Sequence, residues 1–195
     1  IGVGLVGSEM CIRDSVNANK YTSKITPCDY VQPLKIKALS LKSQKHVSCR
    51  EFTNNFYDYA FVVPSQQKDA ACYELAIGAS SLRSEGLLTI CAANDAGGKR
   101  IEKWIQDFGF KTQSLSKKKC TIIWGRKEKL NYEVVNQYIQ KGRQQALFFD
   151  EENYITQPGI FGWNKIDLGS KILIENIQDN LIGRGADFGC GYGYI

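Results

Sequence analysis

The residue types best suited to chemistry come late in the sequence, in Gly185-Ala186-Asp187-Phe188-Gly189-Cys190-Gly191-Tyr192-Gly193-Tyr194-Ile195. The pattern predicts a buried strand running into a turn with glycine at alternate positions. Such glycines let the backbone turn sharply and come close to a ligand without Cβ interference, and a following helix would aim free N–H groups at it. That helix is expected beyond Ile195. The spacing differs from the GxGxxG dinucleotide fingerprint, because the acidic Asp187 lies inside the strand end and the glycines alternate strictly. A glycine-rich turn with no ligand is the plainer alternative.

The run Asp187, Gly189, Gly191, Gly193 resembles motif I of the class I S-adenosylmethionine-dependent methyltransferases. The resemblance implies a glycine loop passing under the methionine and ribose portions of the cofactor, with the acidic residue orienting the loop and the methionine amino group. Upstream, Asn153-Tyr154-Ile155-Thr156-Gln157-Pro158-Gly159-Ile160-Phe161 and Lys165-Ile166-Asp167-Leu168-Gly169-Ser170-Lys171-Ile172-Leu173 resemble the segment before motif I in the ribosomal RNA small-subunit guanine-N2 methyltransferase family. These carry a Pro-Gly-x-Phe turn, an Asp two residues before a Gly-Ser or Gly-Thr, and a helix. The residues agree on their own terms: Asp167 or Ser170 can cap a helix to which Ile172, Leu173, Ile174 and Ile177 give an apolar face. An ordinary capped amphipathic helix explains those residues but not the turn before them. On this resemblance the cofactor-binding residues are Asp187, Gly189, Cys190, Gly191, Gly193, Phe161, Asp167 and Ser170, the cofactor is S-adenosyl-L-methionine, and no metal is expected.

The elements that must position these residues read as an α/β, Rossmann-like methyltransferase fold, with a degenerate first copy followed by the beginning of a second, truncated one. Tyr57-Asp58-Tyr59-Ala60-Phe61-Val62-Val63 suits a strand buried on both faces and ends at Pro64. A helix is expected from about Gln67 to Leu82, a buried strand over Gly86 to Ala92, and a helix from Gly98 to Asp107. A short strand over Phe110 to Gln113 and a last strand over Cys120 to Trp124 follow. Strands alternating with helices of this length predict a largely parallel sheet. Residues 1–15 resemble a translated sequencing adapter and read as non-native, 16–50 are polar and lysine-rich, and 51–128 form part of the degenerate domain. Residues 129–146 form a helical connector whose Val134, Val135, Tyr138 and Ile139 should pack on a domain with Lys141 and Arg143 outward. Residues 147–195 begin the methyltransferase domain.

In active members of the family, the strand matching Asp58 to Val63 would lead into Asn-Pro-Pro-Phe or Tyr, which grips the amine to be methylated. Here Val63-Pro64-Ser65-Gln66-Gln67 stands in that place, so the first domain is expected to be catalytically silent. Its Ala93-Asn94-Asp95-Ala96-Gly97-Gly98-Lys99-Arg100 and Ser116-Lys117-Lys118-Lys119-Cys120 resemble the amino-terminal domain of the same enzymes, and the whole resemblance covers about residues 54 to 195. No catalytic residue is assigned, because the expected motif lies beyond Ile195. The second-strand acidic residue that would hold the ribose is also lacking, so this stretch by itself is expected to be inactive and to bind cofactor weakly at best.

A net charge of +5 and a pI near 8.8 are compatible with a nucleic-acid partner. Lys99, Arg100, Lys117, Lys118 and Lys119 are the RNA-contact candidates, with Arg126, Lys127 and Lys129 adding cations around one strand. Glycines opening a helix before Lys99 and Arg100 could hold a phosphate, or form a simple capped turn. A solvated charged face explains the lysines equally well, and edge lysines also guard against aggregation. Trp124 reads as core rather than as a base-stacking platform. The seven cysteines form no CxxC pair and suit a reducing compartment. Cys72, Cys91 and Cys120 read as small core residues, and Cys190 as tightly packed in its loop. The single His46 reads as solvated, which leaves a Cys–His pair without support. No stretch approaches a membrane span or a signal peptide.

The resemblance implies part of a cytoplasmic enzyme that moves a methyl group from S-adenosylmethionine to a guanine exocyclic amine of ribosomal RNA, with rRNA or the small ribosomal subunit as partner. The alternatives are a methyltransferase for a protein glutamine or a small molecule, and a non-catalytic RNA-binding or assembly module.

Overall fold

The computed structural model describes residues 3–7, 28–31, 47–48, 54–94, 97–149, 151–177, 182–186 and 190–195. The chain forms two compact units, Ile1–Lys141 and Gly142–Ile195.

In the first unit, strands β1 (Val3–Gly7), β2 (Cys28–Val31), β3 (Val47–Ser48), β4 (Tyr57–Val63), β5 (Leu82–Ala93), β6 (Lys111–Lys117) and β7 (Cys120–Arg126) make one sheet in the order β3-β2-β1-β4-β5-β7-β6. Pairing is parallel from β3 through β5 and antiparallel across β5–β7 and β6–β7, so the expectation of a largely parallel sheet holds for one side only. A two-residue hairpin joins β6 to β7, and so short a connection can only reverse the chain. The strand expected over Phe110 to Gln113 starts one residue later and runs on to Lys117, while Phe110 itself is buried. Val3–Gly7, in the segment read as non-native, lies between β2 and β4.

Helices α1 (Lys68–Ser81), α2 (Gly98–Asp107) and α3 (Tyr132–Gly142) lie where the sequence predicts helices. The buried residues of α1 run without a break from Ala70 to Ser81, and a helix apolar on all sides must lie inside a fold. It packs on β1, β4 and β5, while α2 packs on β6 and β7. Val62, Leu75, Ile77, Leu88, Ile90, Ile101, Ile105, Phe108, Ile123 and Val135 make the core, and Val134, Tyr138 and Ile139 of α3 pack against it. Lys141 and Arg143 are exposed, as expected.

The core leaves out several residues that were expected in it. Cys72 is fully buried, and desolvation, followed by the nearby Asp69 carboxylate, pushes its thiol up to about 12. Cys91 and Cys120 are exposed instead, and Trp124 is half-buried outside the core cluster. Strand alternation gives the reason. Leu88, Ile90, Ala92 and Ile123 take the face covered by helices, which sends their odd- or even-numbered neighbours to the other side.

In the second unit, β8 (Gln145–Phe149) and β9 (Glu152–Thr156) form an antiparallel hairpin, and α4 (Leu168–Asn176) follows. The strand expected at the glycine motif does not form at Gly185 and Ala186, which are exposed and unpaired in any sheet. A buried parallel strand needs a neighbour on each side, and the β8–β9 hairpin is a separate two-stranded sheet. Cys190, expected to be tightly packed, is also exposed.

Candidate functional site

After β9 the chain turns at Gln157-Pro158-Gly159-Ile160, where the Ile160 N–H donates to the Gln157 carbonyl at 3.1 Å and Gly159 has φ 99°. Proline followed by a left-handed glycine is the sequence requirement of a type II turn. The Gln157 side chain fixes the turn from behind, its Nε2 donating to the Gly142 carbonyl at 2.9 Å. Two further turns, Trp163 N–H to Ile160 O at 3.2 Å and Lys165 N–H to Gly162 O at 3.0 Å, carry the chain to α4. Phe161 is left 75% exposed on the outside of these turns.

Asp167 caps α4: its Oδ2 accepts from the Ser170 N–H at 3.1 Å and from Ser170 Oγ at 3.4 Å. The sequence left Asp167 and Ser170 as equal candidates for the cap, and the structure makes Ser170 the donor. The glycine motif folds back toward this helix start. Gly191 and Gly193 have φ 57° and 83°, and the Gly193 N–H closes a turn on the Cys190 carbonyl at 2.7 Å. Tyr192 Oη donates to the Lys165 carbonyl at 3.3 Å. Burial, and after it the Asp167 carboxylate, raise the Tyr192 phenol above its ordinary value, so this hydroxyl stays a donor. Tyr154 of β9 lies 5.5 Å from Tyr192 and 5.8 Å from Tyr194 between ring centres, holding the turn in place.

The result is an open cleft of about 40 Å³ lined by Phe161, Asp167, Ser170, Cys190, Gly191, Tyr192, Tyr194 and Ile195. Five of the residues expected to bind cofactor, spread over thirty positions of sequence, therefore line a single site. Gly193 lies in the same turn, with nothing within 4 Å of the place a Cβ would take, so a ligand can approach its backbone freely. Asp187 and Gly189 lie outside the described residues. Sequence reasoning passed over Tyr192, Tyr194 and Ile195, although tyrosines alternating with glycines were a visible signal. The volume admits a water or two, well short of the several hundred Å³ of a typical ligand pocket. The residues present fit the loop side of a nucleoside cofactor and supply one wall for it.

The first unit has a strand-order reversal of its own. Its strand order reverses between β1 and β4, and in open α/β sheets ligands sit at the carboxyl ends of the strands at such a reversal. Just beyond β4, Ser65 is buried and tied to Glu74 of α1, with its N–H and its Oγ each donating to a carboxylate oxygen at 2.7 Å. The Gln67 Oε1 accepts from the Ala70 N–H at 2.6 Å and caps α1. Ser65 and the Gln67 Oε1 are thus engaged within the chain, while Gln66 between them is exposed. The buried Glu74 carries no sequence signal beyond an acidic residue in an apolar helix.

Of the RNA-contact candidates, Arg100, Lys117, Lys118 and Lys119 are exposed in the first unit, and the side chain of Lys99 lies outside the described part of the structure. Among the described residues there is no group of three His, Cys, Asp or Glu that could hold a metal ion.

Residues 151–195 match the family model of the methyltransferase small domain. The ribosomal RNA small subunit methyltransferase C of Vibrio parahaemolyticus is 29% identical over 130 residues, which cover 66% of this chain and 37% of the relative. The Vibrio vulnificus protein of the same name is 30% identical over 138 residues with the same coverage, and that of Acinetobacter baumannii 26% over 145 residues, covering 74% and 43%. The chain therefore spans less than half the length of these curated relatives. Among solved structures, the T. thermophilus 16S rRNA N2 G1207 methyltransferase in complex with AdoMet and guanosine superposes with a TM-score of 0.65 at 16% identity, over 90% of this chain and 48% of that one. At that identity the match speaks for a shared Rossmann-like methyltransferase fold.

Proposed function

From the likeness of this chain to the small-subunit ribosomal RNA methyltransferases C, we propose that it is part of an enzyme that transfers a methyl group from S-adenosylmethionine to the exocyclic N2 amine of a guanine in 16S ribosomal RNA. The observation that carries this reading is the convergence of Phe161, Asp167, Ser170, Cys190 and Gly191 on one cleft. When bound, S-adenosylmethionine supplies an electrophilic methyl on a sulfonium sulfur.

The chain's own residues prepare the site. Gly191 and Gly193 give the turn its left-handed backbone, and Gly193 leaves it open to close approach. Asp167 fixes the start of α4, and Tyr192, held by the Lys165 carbonyl and the Tyr154 ring, fixes the turn against it. Asp187 and Gly189 belong to the same loop by sequence. Exposed Phe161 is suited to lie against a flat ring. Acceleration of such a transfer rests on alignment of amine and methyl more than on acid–base work. The guanine would be unstacked to reach the site. The Ser65–Glu74 tie supports a catalytically silent first unit that serves RNA holding or stability. Its exposed Lys117, Lys118, Lys119 and Arg100, together with Lys99 from the sequence, are the proposed RNA contacts. The small ribosomal subunit is the proposed particle, and the cytoplasm the compartment this substrate requires.

The test is to express the complete reading frame containing this chain in a bacterium lacking its own 16S rRNA guanine-N2 methyltransferase, followed by mass spectrometry of 16S nucleosides. N2-methylguanosine should return and should disappear with Gly191→Val. Methylation found instead on a protein glutamine or a small molecule, with no change in 16S rRNA, would refute the proposal.

A further inference from the structure

One face of the β5–β7–β6 sheet is half-buried to exposed along all three strands. Strand register places Leu87, Thr89, Cys91 and Ala93 of β5 in rows with Arg126, Trp124, Ile122 and Cys120 of β7, and these with Lys111, Gln113, Leu115 and Lys117 of β6. None of these positions holds Asp or Glu. Leu115 is 56% and Ile122 40% exposed, directly opposite each other, and Trp124 lies half-buried in the next row. Exposed apolar side chains grouped with an indole, on a face with cations at both ends, do not describe an ordinary solvated surface.

Two features of this face work against stability. The hairpin from β6 to β7 is a two-residue loop, Lys118-Lys119, in which both residues have positive φ, 51° and 62°. Such loops favour Asn-Gly, because residues with a longer side chain are strained in the left-handed region. With Lys117, the strained pair places three consecutive lysines at the hairpin tip, all exposed. At the other end, Lys111 lies directly opposite Arg126, a like-charge pair that costs stability. That cost is only partly relieved: Lys111 pairs with Glu128 at 2.6 Å, and Arg126 Nη1 donates to the Glu85 carbonyl at 2.8 Å. Asn55, Glu85 and Glu151 also have positive φ, but among the described residues only Lys118 and Lys119 are consecutive in that region, and both are cationic and exposed.

We propose that this face holds a single-stranded segment of RNA, with the Lys117–Lys119 tip and Arg126 gripping phosphates and Trp124, flanked by Leu115 and Ile122, stacking an unpaired base. The choice of RNA rests on the methyltransferase reading above. The rows from Lys117 to Lys111 span about 20 Å at the usual rise of a strand, room for a few nucleotides. A flat, half-apolar platform with an indole suits unstacked bases, whereas a duplex offers only its backbone. In this arrangement the first unit delivers substrate and the second carries the cofactor.

The test measures the full chain binding a fluorescein-labelled oligouridylate by anisotropy across a salt series. Tight, salt-sensitive binding is expected, with the matching A·U duplex weaker. Trp124→Ala should weaken it by about five-fold or more. Lys118→Asn combined with Lys119→Gly should reduce affinity and flatten the salt slope by about 0.7 per lysine, while raising the melting temperature by relieving the turn. That opposite movement separates an RNA role from a folding role. Folded variants that bind the oligonucleotide like the parent would overturn the proposal, as would absence of binding at low salt. Self-association abolished by Trp124→Ala with RNA affinity unchanged would overturn it in favour of a protein contact. None of these outcomes depends on N2-methylguanosine in 16S rRNA, so the surface and the methyltransferase reading stand or fall separately.

Discussion

Lys127 shows what a single side chain does in the first unit. It is 4% exposed, and its ammonium donates to Asn55 Oδ1 at 2.8 Å and, more closely, to the Leu82 carbonyl at the C-terminal end of α1. A cation there meets the negative end of the helix and satisfies a carbonyl that has no partner within it. Lys127→Met should cost on the order of 1–3 kcal/mol, read by urea unfolding. Burial lowers the pKa of Lys127 below the ordinary 10.5. Between the folded value and 10.5 the unfolded chain holds the extra proton, so stability should rise as pH climbs through that window. The variant should lose this slope. Equal slopes would mean that the lysine is not desolvated in solution. Sequence reasoning had grouped Lys127 with the RNA-facing cations. The burial that sets it apart comes from contacts with residues as far away as Asn55.

At the scale of elements, the ends of α2 show how far local sequence reaches. Its bounds, Gly98–Asp107, were legible because Gly97 and Gly109 bracket an apolar period. Gly109 has φ 97° and donates to the Gln106 carbonyl, the left-handed close of a helix. A Cβ at Gly109 would come within 2.2 Å of the Lys129 carbonyl. Gly109→Ala should therefore destabilise the first unit by several kcal/mol, since both the backbone conformation and the space are refused; a melting temperature within a degree or two of the parent would contradict this. The cap on α4 was legible for the same local reason, whereas the Gln67 cap on α1 was seen only in the structure. The β8–β9 hairpin was not, because Asp150 and Glu151 break the Phe148-Phe149 run without a strong turn signature. The exposure of Cys91, Cys120 and Trp124 was hidden as well: a strand buried on both faces and one covered on a single face can share the same apolar run.

At the scale of the molecule, the two units differ in how well they bury their apolar residues. The first has a continuous core with α1 at its centre. In the second, α4 has no buried residue, and Leu168, Ile172, Leu173, Ile174 and Ile177 are all exposed. Hydrogen exchange should find the amides of α1 protected to nearly the global unfolding free energy and those of α4 exchanging near the rate of an open chain. Comparable protection in both helices would show that α4 has a packing partner in solution.

The sequence by itself determined the helices, the cap of α4, the apolar strands β4, β5 and β7, and the glycine-rich turn near Gly191 and Gly193. Each depends on neighbours within a few positions: a periodicity, a capping side chain, or a glycine where φ must be positive. The tertiary structure alone decided which face of β5 and β7 the helices cover, and with it whether Trp124, Cys91 and Cys120 lie in the core or on a surface. It also decided that Ser65 is tied to Glu74 just beyond β4, and that Tyr154, Tyr192 and Lys165 hold the glycine turn near Asp167. These are contacts between residues far apart in sequence, set by packing and strand order. The cleft itself belongs to both accounts, with its residue types fixed by the sequence and their convergence by the fold.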